Sequence, residues 1–154
     1  MLNPLLNVNK RKLNRHYLIL KTHDEASRKE KIAKIFSNAK KEIKSLKAIA
    51  VVETDSGLPL GSLLIEKDFD IDAACAYNTE VLKANIRTMK ALGIKDEEIS
   101  DLSTELSSQT HLIRPFLEHE FFLCLAVNNG AMNMGIIKKM INSIVSELKD
   151  ILDT

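Results

Sequence analysis

Tryptophan is missing from this sequence, aromatic residues of any kind make up only 5% of it, and cysteine occurs twice. No apolar run reaches the length of a membrane span, and with 45% apolar and 28% charged residues the composition is that of a soluble globular chain. Cys75 and Cys124 have no CxxC or metal-ligand spacing, so neither a zinc site nor a disulfide scaffold is indicated. A reducing compartment, the cytoplasm, fits them best. The apolar Tyr17-Leu18-Ile19-Leu20 is too short for a signal peptide and has no small-residue cleavage site after it. Catalytic signatures are absent too. There is no GxxxxGK[ST], no GxSxG and no HExxH, which argues against nucleotide hydrolysis or metal-assisted chemistry by the chain itself.

Net charge is also nearly absent, at +1, but the balance is uneven along the chain. Residues 1–47 hold 13 Lys and Arg against 4 Asp and Glu, whereas residues 48–154 hold 9 against 17. Such an asymmetry marks either an arm that faces nucleic acid or membrane, or a lysine-rich solvated surface beside an acidic body. Tyr17 is the only aromatic residue in 1–21, so base stacking on single strands is disfavoured, and the solvated surface is the preferred reading. Residues 1–23 are therefore set apart as a basic N-terminal arm, with one domain over 24–154. A chain of this length buries about 68–70% of its extended surface, enough for a single core.

The stretch Ala48–Glu66 organises that domain. Ala48 to Val52 is a short apolar run, Thr54-Asp55-Ser56-Gly57 is a turn cluster, and Leu58 to Ile65 returns as a second run, with Pro59 at its start where a missing N–H is tolerated. This is a hairpin. Near-continuous apolarity in both arms predicts cover on both faces by helices. Before it, Ile32, Ile35, Phe36, Ala39, Ile43 and Leu46 recur at helical spacing, giving a first helix over about 24–46.

A second helix is expected from Asp70 to Leu92, capped by an acidic N-terminus and stopped by Gly93. Its charges, Asp72, Glu80, Lys83, Arg87 and Lys90, fall within an arc of about 80° at helical period. Ile71, Cys75, Leu82, Ile86 and Met89 centre one uncharged face, and Ala74, Tyr77, Asn78, Val81, Asn85 and Leu92 form another. One face serves the chain's own sheet. The other has no helix of this chain left to cover it, which points to another subunit.

Half-polar Ile99–Ser107 suits a sheet edge, His111–Leu117 follows as a strand, and Phe121–Val127 is the most apolar strand and so the central one. Ile137, Met140, Ile141, Ile144, Val145, Leu148, Ile151 and Leu152 draw a last helix from about Asn133. The order is αββαβββα, an α+β class with helices on both faces of the sheet. Asp68, Asp70 and Asp72 begin like a calcium loop, but Ala73 and Thr79 stand where that loop needs Gly and Glu, so they read as helix caps. His16, His23, His111 and His119 show no ligand spacing and read as polar decoration. No metal and no cofactor is expected. Cys75 and Cys124 read as core thiols.

From Ile32 to Leu152 the chain resembles the roadblock family of dynein light-chain type, a set of small domains found in dynein subunits, lysosomal scaffold subunits and microbial regulators of small GTPases. The resemblance rests on Asp55, Gly57, Leu58 and Pro59 of the hairpin, the Ala-rich second helix, Arg114-Pro115, and Asn133 with Gly135. It implies a five-stranded antiparallel sheet of the profilin-like kind. It also implies a dimer in which second helices pack together and third strands pair, with Ala74, Tyr77, Asn78, Val81, Asn85, Leu92, Leu102 and Thr104 at the interface. The function so implied is a non-enzymatic dimerising scaffold or regulator that binds a small GTPase or a partner of the same fold, as homodimer or heterodimer. A small-ligand sensory module of profilin-like type is the alternative, and a basic-arm tether to nucleic acid or anionic membrane is a third. Neither nucleic acid nor stable membrane insertion is expected.

Overall fold

A computed structural model of the chain describes residues 24–130 and 132–153. The basic arm, including Tyr17–Leu20, lies outside these residues. The elements are helix α1 over 24–42, strands β1 (Leu46–Glu53) and β2 (Pro59–Leu64), helix α2 (Ile71–Ala91), strands β3 (Leu102–Glu105), β4 (Gln109–Phe116) and β5 (Phe121–Asn128), and helix α3 (Met134–Leu152). The five strands form one antiparallel sheet in the order β2-β1-β5-β4-β3. The expected αββαβββα order and the central place of Phe121–Val127 are both observed.

Alternation along the strands divides the core in two. Ile49 and Val51 of β1 join Phe121, Leu123, Leu125 and Val127 of β5 beneath α1 and α3, which contribute Ile32, Phe36, Ile43, Ile137, Ile141 and Leu148. Ala50 and Val52 join Phe122 and Cys124 on the opposite face, where α2 contributes Cys75 and Leu82. Two helices therefore cover one face and a single helix the other.

Two expectations change. α1 ends at residue 42, and Leu46, expected at its end, opens β1 opposite Val127. Only β1 of the hairpin is covered on both faces. β2 is an edge strand with Ser62 and Leu64 open to solvent and its other residues only half-buried, because the chain returns β5, not β2, to the far side of β1. Where α1 crosses β2 it does so at Gly61: a Cβ there would stand 2.5 Å from Ile32 Cγ2, so the close approach needs glycine. Pro115 lies in β4 past the last β3 pairing at Ile113, so its missing N–H interrupts no ladder on that side.

The helix ends follow local chemistry. Asp70 accepts the Ala73 N–H at 3.0 Å, and Asn133 accepts that of Gly135 at 2.7 Å. Gly93, at φ +69°, closes α2, with the Ile94 N–H bonded to the Met89 carbonyl and the Gly93 N–H to that of Lys90, the Schellman pattern.

Candidate functional site

Helix α2 is placed by its inner face. Cys75, Thr79 and Leu82 are buried, with Ile71 and Ile86 beside them, and the helix packs chiefly on β1 and β2. Thr79, which the apolar pattern did not mark, donates its hydroxyl to the Cys75 carbonyl at 2.7 Å and sits against Gly57 of the β1–β2 turn. On the flank toward that turn lie the charges, and Lys83 Nζ donates to the Asp55 carbonyl at 3.0 Å. The charged arc thus faces the hairpin end of the sheet.

The opposite flank and the crest of α2 carry no charge. Tyr77 is 75% exposed, Leu92 70% and Val81 44%. Ala84, Thr88 and Ala91 are exposed on the same crest, residues whose small size gave no signal in an apolar pattern. Ala74, Asn78 and Asn85 are half-buried; Asn85 returns its amide to the Val81 carbonyl at 2.9 Å. Of the two strand residues expected with them, Leu102 packs inward on the α2 side of the core, and Thr104 is exposed on β3. Six helical positions are therefore gathered along one side and crest of α2. β3, at the sheet edge beyond β4, is four residues long with Ser103, Thr104 and Glu105 all exposed.

Electrostatics fix how this surface is framed. Arg114 of β4 donates Nε and Nη2 to the two carboxylate oxygens of Asp101 at 2.7 and 2.9 Å, and its Nη1 reaches Asn142 Oδ1 and the Lys138 carbonyl of α3. One guanidinium so joins the approach to β3, the strand β4 and helix α3. His119 is also more than decoration: its Nε2 accepts the Ile99 N–H at 3.0 Å, holding the α2–β3 connection to the β4–β5 turn. At the other end of the sheet, hydrogen bonds from Asn128 and Lys47 hold the Glu66 carboxyl below its usual range.

Between α2 and the sheet lies a small hollow of about 10 Å³, lined by Phe69, Ala74, Asn78, His111, Cys124 and Ala126 among others. Burial, aided by the Lys47 charge, lowers the pKa of His111, whose ring meets Phe69 edge-on at 5.7 Å. The two cysteines, 49 positions apart, belong to the same buried cluster, where the neighbouring thiol lowers the pKa of Cys75 and, with burial, pushes that of Cys124 well up. Among the described residues no cluster of three or more His, Cys, Asp or Glu is arranged to hold a metal, and no helix is long and apolar enough to cross a membrane.

No protein-family model matches the sequence, and no curated protein does. Solved structures do match. MglB of Myxococcus xanthus superposes with a TM-score of 0.70 at 16% identity, over 80% of this chain and 89% of that one. A roadblock/LC7 domain from Streptomyces avermitilis gives 0.64 at 14% identity, over 77% and 94%. The chain has the roadblock/LC7 fold. A further roadblock-fold match, an MglB described in a tetrameric arrangement, gives 0.70 at 14% identity over 82% and 90%. Within the roadblock fold, α2 is the single helix on its sheet face, and the uncharged surface described above lies on it.

Proposed function

We propose that this chain is a non-enzymatic scaffold or regulator that works as a dimer through α2 and the β3 edge, with a small GTPase or another roadblock-fold protein as its client. The observation that carries the reading is the position of α2. It is the one helix on its face, packs chiefly on β1 and β2, and turns an uncharged flank and crest away from them. A second α2 laid beside the first would cover Tyr77, Val81 and Leu92. Pairing of β3 with its copy would satisfy the backbone groups of a sheet edge that is otherwise shielded only by Glu105 and the strand's shortness. The tetrameric arrangement named for the MglB of like fold supports assembly through copies.

A platform of two helices over a continuous sheet regulates by holding one conformational state of its client more tightly than another, and the chain alone is expected to hydrolyse no GTP. The sensory alternative gains nothing from the hollow beneath α2, which at about 10 Å³ falls far below the roughly 300–1,000 Å³ of ligand pockets.

Light scattering tests the dimer. At tens of micromolar, where associations of micromolar Kd are well populated, the mass should be twice the 17.3 kDa of one chain. Val81→Glu places like charges face to face across a two-fold axis and should return the mass to one chain with an unchanged circular dichroism spectrum. A monomeric wild type would exclude the homodimer. A Val81→Glu variant that unfolds would place Val81 in the core instead.

A further inference from the structure

We propose that Tyr17–Leu20 of the basic arm adds as a strand to the free edge of β2, antiparallel to it and beside α1, so that the chain itself closes the second edge of its sheet. That edge is open among the described residues, where β2 has β1 as its only strand partner. The Ile65 N–H donates to the Lys47 carbonyl at 2.9 Å, and Leu63 and Gly61 stand opposite Ile49 and Val51. In an antiparallel ladder of this register Gly61 and Leu63 turn their backbone groups to β1, and Ser62 and Leu64 turn theirs outward. Sheet edges are ordinarily blunted by charge, yet β2 reads PLGSLL, with Pro59 as its one guard. Along it runs a groove of about 530 Å³, lined by Lys29, Glu30 and Ala33 of α1 and by Pro59, Leu60, Gly61 and Ser62. Leu58 and Leu64, at the two ends of the edge, are 65% and 40% exposed.

Chain length and direction select the occupant. α1 ends at residue 42 and Ala48 pairs with Leu64, so the C-terminal end of α1 lies toward Leu64 and its N-terminal end toward Pro59, where Lys29 and Glu30 are found. The helix starts at residue 24, five steps or about 7.5 Å before Lys29, and the link from Leu20 to residue 24 spans at most about 14 Å. Leu20 therefore falls beside the start of β2. A strand ending there must come from the Leu64 end, antiparallel to β2 and parallel to β1. α1 is then the crossover between that strand and β1, lying over the intervening β2 as it does where Ile32 meets Gly61. The hand agrees as well. This crossover and β2–α2–β3 cross the sheet in one lateral direction, on opposite faces and with opposite strand directions, so they share one hand, as parallel crossovers do.

Composition points the same way. Tyr17-Leu18-Ile19-Leu20 is the one run of four apolar residues in 1–23, and that segment has five Lys and Arg and no acidic residue. In the antiparallel sense Arg15 comes toward the end of β2 that Glu66 and Asp68 follow. A second copy of the chain is the competing occupant, but a segment tethered three residues away acts at about millimolar effective concentration.

Residue-resolved amide exchange on the full chain tests this, and it is separate from the α2 and β3 dimer because β2 and β3 are opposite edges. Ser62 and Leu64 should exchange slower than an open strand by about tenfold or more, to the same extent at low and at high protein concentration. Leu18→Pro and Ile19→Pro are made separately, because neighbouring N–H groups of a strand point to opposite sides and proline is tolerated on the open one. At least one of them should return Ser62 and Leu64 to open-strand exchange, with Gly61 and Leu63 still protected and the circular dichroism spectrum unchanged. Asn9→Pro, upstream of the run, should leave every one of these rates as it is. Fast exchange at Ser62 and Leu64 in the unaltered chain would overturn the assignment, as would protection that neither proline lifts. Protection that grows with protein concentration would overturn it too, and would give the edge to a second copy.

Discussion

Replacing Arg114 with alanine removes a side chain that joins β4, the approach to β3 and α3. Its guanidinium makes two charge-assisted bonds to Asp101, at 2.7 and 2.9 Å, and both side chains are largely withdrawn from water, 14% and 16% exposed. Truncating one partner of a buried pair costs about 3–5 kcal/mol, because the remaining charge keeps its desolvation penalty. Lys138 softens this: its Nζ lies 3.8 Å from Asp101, but the side chain is 46% exposed, so the interaction is screened. We expect a loss near the lower end, about 3 kcal/mol, a large share of the roughly 5–15 kcal/mol that holds a domain together.

Urea denaturation followed by circular dichroism should then show the midpoint falling by roughly 1–3 M, at an m-value in the usual range of about 1–3 kcal/mol/M. Arg114→Lys should recover little, since an ammonium cannot reproduce the planar fork. The pair Arg114→Met with Asp101→Leu should recover most of the loss, because two apolar residues leave no orphaned charge. Hydrogen exchange should place the weakening at β3, whose approach loses its anchor. If Arg114→Ala unfolds within about 0.5 kcal/mol of wild type, the range of an ordinary surface change, the guanidinium is not a structural hub. Strict additivity with Asp101→Ala would refute the coupling itself.

Further outcomes follow from other contacts. Leu123→Ala, fully buried beneath α1 and α3, should cost about 2–5 kcal/mol in thermal or urea melts. Gly61→Ala should cost about 1–3 kcal/mol by overpacking against Ile32 Cγ2, and Ile32→Leu, which removes that methyl from the β position, should relieve part of the cost in the double variant. His111 has its pKa lowered in the fold, so it stabilises in its neutral form. That stability is present above the ordinary histidine range near pH 6.5 and is lost as pH falls through the lower folded value. Melting curves from pH 7.5 to 5 should show a fall that His111→Gln abolishes, and an unchanged slope in the variant would assign it to other groups.

The sequence carried its local features into the structure with little loss. The turn at Thr54–Gly57, the Asp70 and Asn133 caps and the Gly93 stop depend on residues within a few positions of one another, and each is where pattern and turn chemistry put it. The apolarity of Phe121–Val127 also announced its central place, since such a strand can only be stable under cover on both sides. What could not be read were the meetings of distant residues. Nothing in the composition of β2 says that β5, not β2, closes the far side of β1, so Leu60, Leu63 and Leu64, none of them fully buried, looked like core. Thr79, polar by type, is buried because Gly57 approaches it, and His119 gained a backbone donor from a connection twenty residues earlier in the chain. Of the candidate surface, the uncharged arc was legible from period alone. Its small residues and the shared burial of Cys75 with Cys124 were not, since an alanine gives a weak signal and a juxtaposition across 49 positions gives none.

The pairing of β1 with β5 has a consequence for how the chain reaches this structure. Val51 meets Leu123 across 72 positions, so the innermost ladder of the sheet closes last in any synthesis that runs from the N-terminus. By then α1, the β1–β2 hairpin, α2 and the β3–β4 arm have all left the ribosome, and β1 has waited with one edge unpaired and two apolar faces. Loop-closure entropy makes such a long-range pairing slow relative to local helix and hairpin formation. During that interval the nascent domain shows the features that make partly folded chains self-associate. Release of β5 is therefore the event that ends its vulnerability: a chain halted before residue 121 holds four strands of the sheet without the one that joins them.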